Sequence, residues 1–217
     1  MTVAAWWQRE GEWVEPPNRR RDGESGVKRV QDPVHGLLYV KLQTNHLYRS
    51  VRYPFGRPTA LRERDALAAV AASGVTVPEV VFAGDEKDGG QWRAVLVTKA
   101  LAGYRDLFHW GLRRERGRVS DERQAEMLRA VGRMLGTLHR QRWQHTNLYP
   151  NHIFVTDDAA EGPVRAALID LENSRRCLRA ATAAQRDFEQ LRKRATMFSD
   201  ADWHILLQAH AAAFAAR

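Results

Sequence analysis

Cysteine is nearly absent: Cys177 stands alone in 217 residues. A disulfide within the chain is therefore excluded, and a reducing compartment fits. No apolar run approaches the ~18 residues that a helix needs to cross a bilayer. The opening MTVAAWWQREGEW also lacks the basic-then-apolar order of a secretory signal. The simplest expectation is a cytoplasmic protein. Internal repeats and low-complexity tracts are missing. Acidic excess is missing as well, since 34 Lys and Arg against 26 Asp and Glu leave a net charge of +8. The partner should be anionic. Charge alone does not choose between a nucleotide, a phosphorylated sugar, an anionic lipid surface and a nucleic acid. No nucleic-acid recognition motif is present, so that partner is not expected.

What is present is an ordinary globular composition, 44% hydrophobic and 28% charged. The length suffices for a real core in one domain or two small lobes. Residues 6–14, rich in aromatics, read as a first strand that Pro16 and Pro17 end. Residues 18–26, NRRRDGESG, read as a flexible loop. Its Gly23 and Gly26 are a weak phosphate-loop signal, for which a plain hairpin loop is the simpler reading in isolation.

Residues 27–31 and 37–43 read as two strands joined by a turn over 32–36. Lys41 is then a lone cation in an apolar strand. It is either an edge-strand lysine kept for solubility or a lysine held over a nucleotide's phosphates. Residues 44–57 show no clear period and read as a loop or irregular helix. Thr59 caps a helix to about Ser73, with Gly74 ending it. On that helix Glu63 shares a stripe with Leu67, Val70 and Ala71. A carboxylate there either pairs with Lys41 or lies at the solvated margin of a slightly rotated helix. Residues 80–83 and 92–98 read as strands joined by a turn over 84–90, with a connector at 99–103.

The remainder reads as mainly helical. Residues 104–113 form a short helix, and a basic run follows to 118. Ser120 caps a longer helix with Asp121 and Glu122 in its first turn and Leu128, Val131, Leu135 and Leu138 on its buried stripe. This helix delivers the chain into His145-Thr146-Asn147-Leu148, a short strand, a polar turn and a second apolar strand ending at Asp170. A polar stretch, LENSRRCLR, leads to helices over about 183–197 and from 199 to the end.

A glycine-bearing loop, a strand lysine, a helix glutamate, a strand pair, a long helix, a His-x-x-Leu loop and a strand-end aspartate occur in the order of the eukaryotic-type kinase fold. His145-Thr146-Asn147-Leu148 stands where that fold has H-R-D-L, His152 where it has the metal-binding Asn, and Asp170 where it has the Asp of D-F-G. The phrases HTNLYPNHIF and LIDLENSRR resemble those of the bacterial lipopolysaccharide core kinases, the Kdo and heptose kinase family, in its InaA-like branch. The resemblance covers residues 26–187. It implies an α+β, bilobal protein kinase-like fold. A small antiparallel-sheet lobe with one helix would span 1–99, and a reduced helical lobe with the catalytic loop 100–217.

The resemblance further implies an ATP-dependent phosphotransferase that uses Mg2+, with Mn2+ as the alternative, on a core sugar hydroxyl or similar small acceptor. Lys41 would contact the ATP phosphates beside Gly23 and Gly26, and Glu63 would pair with Lys41. Asp170 would hold the metal, with His152 in the second metal position. Asn147, His145, Asp170 and Lys41 would form the catalytic set. Implied partners are a nucleotide and an anionic sugar or glycolipid, with peripheral association at the inner membrane.

The departures matter too. Asn147 stands where a general base belongs, and an amide has no useful basicity. Such a base is worth ~100 to 10,000-fold, so a pseudokinase that binds nucleotide or regulates is the alternative. Imidazole at His152 is a poorer magnesium ligand than oxygen. His145 or His152 offers a substitute base, although in the kinase fold the first histidine is usually structural. The short tail after Asp170 leaves no room for the long activation segment that binds peptides, which argues against protein substrates. Arg175, Arg176 and Arg179 either meet acceptor phosphates or form a solvated basic surface. By analogy with kinases, Asp187 fastens the backbone of the catalytic loop.

Overall fold

The computed structural model describes residues 1–20, 23–156 and 162–216. The chain divides into two compact units, Met1–Leu67 with Pro78–Ala100, and Ala68–Val77 with Leu101–Arg217.

The first unit opens with helix α1 (Val3–Gln8), where aromatics suggested a strand. Thr2 caps it by accepting the Ala5 N–H at 3.2 Å, and one turn of helix puts Val3 and Trp6 on the same buried face. Strands β1 (Glu12–Arg20), β2 (Gly23–Asp32) and β3 (Gly36–Thr44) follow. Pro16 and Pro17 do not end β1, because it is an edge strand whose register shifts between Trp13 and Glu15 and again before Asn18. A proline at such an edge forfeits no ladder bond. The loop expected over 18–26 is largely this β1–β2 hairpin; residues 21 and 22 lie outside the described residues.

Residues 44–57, expected as a loop or irregular helix, form the hairpin β4 (Leu47–Ser50) and β5 (Tyr53–Pro58). Its two short strands pair with each other outside the larger sheet, which is why no hydrophobic period marked them. Helix α2 (Thr59–Ala72) comes next, then β6 (Val80–Asp88) and β7 (Gln91–Lys99). These two strands run longer than their sequence pattern and turn tightly at Gly89 and Gly90, both left-handed with φ of 54° and 83°. The antiparallel sheet has the order β1-β2-β3-β7-β6. Leu38, Val40 and Leu42 of β3 pack with Val95 and Val97 of β7 beneath Val3 and Trp6. Alternation therefore turns Lys41 to the opposite face.

The second unit contains β8 (Tyr104–Asp106), α3 (Leu107–Glu115), α4 (Asp121–Arg140), β9 (Trp143–Gln144), β10 (Ile153–Thr156), β11 (Ala166–Leu168), β12 (Arg175–Arg176), α5 (Ala180–Arg192) and α6 (Asp200–Ala215). A strand and a helix thus replace the short helix expected over 104–113, since Asp106 caps α3 by accepting the His109 N–H at 3.0 Å. Ser120 caps α4 as anticipated, and Leu128, Val131, Leu135 and Leu138 are buried. Helix α5 begins and ends several residues before the span of 183–197 read from the sequence. Helix α6 packs along α4 at Gly132 and Gly136. A Cβ on Gly136 would lie 2.6 Å from the His210 carbonyl oxygen, so only glycine permits this approach.

Candidate active site

In the first unit the expected ion pair is present. Lys41 Nζ lies 2.5 Å from Glu63 Oε2, with side chains 17% and 8% exposed. β3 supplies the lysine from the face away from the α1 core. The apolar stripe of α2 carries Glu63 inward with Leu67 and Val70. The solvated-margin alternative for Glu63 is excluded by its burial. Gln43, two residues along β3, fixes the start of the helix. Its Oε1 accepts the Ala60 N–H at 2.8 Å and the Thr59 hydroxyl at 3.0 Å.

Gly23 and Gly26 lie in β2, and their lack of a side chain has a packing reason. A Cβ on Gly23 would sit 2.7 Å from His46 Cα, and one on Gly26 would sit 2.8 Å from the Trp13 ring. Neither glycine requires the left-handed conformation typical of an open phosphate loop.

In the second unit the loop after β9 is held from below by α5. Asp187 is fully buried. Its Oδ2 accepts the His145 backbone N–H at 2.7 Å and faces His139 Nε2 at 3.2 Å, while Oδ1 accepts the Thr146 N–H at 3.0 Å. One turn on, Gln190 Oε1 accepts the Leu148 N–H at 2.7 Å. Thr146 has a φ of 70°, a strained value for a β-branched residue, and the carboxylate on its amide offsets that strain. The loop-fastening role anticipated for Asp187 is thus visible in geometry. His139 and Gln190 were not singled out from sequence. The signal that would have found Gln190 is its i+3 spacing from Asp187 on one helix face.

His145 is enclosed and both ring nitrogens are engaged. Nε2–H donates to the Ile169 carbonyl at 2.8 Å, and Nδ1 accepts the Asn147 N–H at 3.3 Å. Burial lowers its pKa, which keeps the ring neutral. It positions the loop and has no free lone pair to act as a base. His152 ends a short 3-10 turn (Pro150–His152) and donates from Nδ1 to the Asn147 carbonyl at 2.8 Å. The same nitrogen is 3.6 Å from Asp170 Oδ2, so Nε2 is the lone pair left to His152.

Asp170 follows β11 in the left-handed region, with a φ of 59°, and its side chain is 28% exposed. Asn147 Nδ2 donates to Asp170 Oδ2 at 3.5 Å, a long bond but one that a carboxylate at position 147 could not make. No group of three or more His, Cys, Asp or Glu with metal-binding geometry occurs among the described residues. Magnesium does not require one, because it is commonly held by one or two carboxylates together with substrate phosphates and waters. Asp170 and the amide oxygen of Asn147 fit that role better than His152, whose Nδ1 is occupied.

Two of the three arginines singled out after Asp170 lie against the surrounding structure. Arg175 and Arg176 form β12 against β9. Arg175 Nε donates to Gln144 Oε1 at 3.2 Å, and the Arg176 guanidinium lies 6.0 Å from the centre of the Trp143 ring. Arg179 is exposed at the start of α5.

Comparison with known proteins adds three findings. A model of the lipopolysaccharide kinase (Kdo/WaaP) family matches residues 4–210. Protein InaA of Escherichia coli (strain K12) is 44% identical over 199 residues, covering 91% of this chain and 90% of that protein. Among solved structures, WaaP in complex with acyl carrier protein superposes with a TM-score of 0.72 at 21% identity, over 97% of this chain and 82% of that one. This structural likeness establishes the α+β, protein kinase-like fold.

Proposed function

The chain belongs to the lipopolysaccharide kinase (Kdo/WaaP) family, and from that premise we propose that it is an ATP-dependent phosphotransferase acting on a core sugar hydroxyl or similar small acceptor. The observation that carries the reading is the Lys41–Glu63 pair. A half-buried lysine held at 2.5 Å by a buried glutamate costs desolvation and has little structural return, whereas it pre-places a cation for phosphate oxygens. We retain the two-lobe reading of 1–99 and 100–217, with Lys41 and Glu63 in the first lobe and Asn147 and Asp170 in the second.

In this reading Lys41 orients the phosphates, and Asp170 with the Asn147 amide oxygen would hold Mg2+ or Mn2+. The metal, when bound, would supply neutralisation of charge on the phosphates. Asn147 Nδ2 keeps the Asp170 carboxylate oriented. No residue at position 147 accepts the acceptor's proton, so positioning and electrostatics carry the transfer. His152 Nε2 is the remaining candidate for that proton.

A second reading, a nucleotide-binding pseudokinase, is favoured by Asn147 itself. Thermal shift with ATP, with and without Mg2+ or Mn2+, on the wild type and on Asp170→Ala tests nucleotide binding. No shift under any condition sinks nucleotide binding in both readings and leaves only a regulatory pseudokinase. ATP turnover with a lipopolysaccharide core acceptor then separates kinase from pseudokinase. No helix among the described residues is long and apolar enough to cross a membrane. Peripheral attachment through the basic surface is therefore the form we propose, measurable by flotation with anionic vesicles. The neighbour's acyl carrier protein is a further partner to test by co-purification.

A further inference from the structure

We propose that the cavity between Tyr149 and α5 is a subsite for a phosphate monoester carried on a sugar-sized polyol. The inference deepens the phosphotransferase reading and rests on it for the ligand's role as acceptor. The cavity is a depression open to solvent of about 370 Å³, lined by Tyr149, Gln190 and the exposed Arg186, Glu189, Lys193 and Arg194, with Gln144 also on its lining. That volume lies in the range of small-ligand clefts.

Its wall is a single stripe. Arg186, Glu189, Gln190 and Lys193 fall at i, i+3, i+4 and i+7 along α5 and its C-terminal cap, and Arg194 continues the row. Three cations thus face the cavity with one carboxylate. Among the described residues no ion pair engages Arg186, Lys193 or Arg194, while Glu189 Oε1 accepts from Gln185 Nε2 at 2.8 Å. The dipole at the end of α5 accounts for Lys193 and Arg194. It does not account for Arg186, two turns earlier.

Tyr149 ties this cavity to the loop that bears Asn147. Its N–H donates to the Asn147 carbonyl at 2.9 Å, and its ring packs 5.5 Å from that of His152. Its hydroxyl accepts from Gln190 Nε2 at 3.4 Å, and the Arg194 guanidinium lies 5.5 Å from the ring centre. The cavity therefore combines an aromatic ring, an amide, one carboxylate and three cations without an ion-pair partner among the described residues. That combination suits a polyol bearing a phosphate, which arginine grips through paired N–H groups. Arg175 and Arg176 lean instead on β9.

The test titrates the full chain with glucose 6-phosphate, glucose and inorganic phosphate by calorimetry. The wild type is compared with Arg186→Ala, Lys193→Ala and the triple variant that adds Arg194→Ala. The sugar phosphate is expected to bind more tightly than either fragment, and each lost cation to weaken it about tenfold. Melting temperature and the thermal shift with ATP should stay at wild-type values, since none of these residues belongs to the nucleotide machinery. The proposal is overturned if the triple variant binds as the wild type does, if inorganic phosphate binds as well as glucose 6-phosphate, or if the wild type shifts with ATP yet binds no sugar phosphate. Sugar-phosphate binding without any ATP shift would uphold the subsite and remove the phosphotransferase reading instead.

Discussion

Asp187 accepts the backbone N–H of His145 at 2.7 Å from 42 residues further along the chain. The same carboxylate holds the Thr146 N–H and faces His139, so one buried acid anchors three groups.

Removing that acid should therefore cost more than one ordinary hydrogen bond. Asp187→Ala leaves two buried amides and a histidine without their acceptor, and destabilisation of about 3 kcal/mol or more is expected. Asp187→Asn retains one acceptor oxygen and should lose less. Urea midpoints measure the cost. The 15N shifts of His145 and Thr146 report whether the loop has come loose, and unmoved shifts in Asp187→Ala would refute the anchoring.

Single truncation of the buried pair in the first unit should be severe. Lys41→Ala leaves the buried Glu63 carboxylate without its closest counter-ion, with an expected loss of about 3 kcal/mol, and Glu63→Ala, which leaves the half-buried Lys41, should cost less. The double variant Lys41→Met/Glu63→Leu should return near wild-type stability, because an apolar pair avoids desolvation altogether. It should still show no thermal shift with ATP. A normal shift in that variant would mean that Lys41 does not touch the phosphates.

Asn147→Asp places a second carboxylate about where Nδ2 now lies, 3.5 Å from Asp170 Oδ2. Like charges at that distance repel, so the metal-free variant should be less stable than the wild type by about 1 kcal/mol and melt lower. Mg2+ should then stabilise the variant more than it stabilises the wild type. ATP turnover gained by the variant alone favours the pseudokinase reading. Equal melting with and without Mg2+ in both proteins would argue against a metal site at Asp170.

Stability should fall with acid through His210. Its Nε2 lies 3.0 Å from His139 Nδ1 in a buried chain that ends at Asp187. Burial, with His139 beside it, pushes His210 down to about 4. The unfolded chain, with a histidine pKa near ~6.5, then binds more protons than the folded one between those values. The contribution of His210 is thus complete above pH ~6.5 and is lost as pH falls toward 4, on the order of 2 kcal/mol after allowance for partial solvent access. Burial of His145 acts in the same direction. Urea midpoints at pH 7 and pH 5 check this, and His210→Gln should flatten the difference while keeping a donor for His139.

Much of the candidate site was legible because its signals are local. Lys41 announced itself as a charge in an alternating apolar strand and Glu63 as a charge on a helical stripe, and the two meet. The cap at Ser120 marked a helix start within a residue, and the last helix begins one residue after the expected 199. Residues 44–57 were not legible, because β4 and β5 pair only with each other and half-exposed strands carry no clean alternation. Trp6 and Trp7 misled for a related reason: aromatic residues favour strands on average, but a Thr2 cap and burial against the sheet decided for helix.

The sequence by itself determined the caps and stripes of the longer helices, the placement of Lys41 and Glu63 on a strand and a helix, and the loop and strand end that present Asn147 and Asp170. Periodicity and capping act over a few residues, and those features need nothing longer. Only the tertiary structure decided that Asp187, His139 and His210 form one buried chain, that Gln190 holds Leu148, and that unpaired cations line a cavity beside Tyr149. These contacts join residues 41 to 71 apart in the chain. Burial, which makes an unsatisfied polar group costly, selects such partners, and burial is a property of the packed chain.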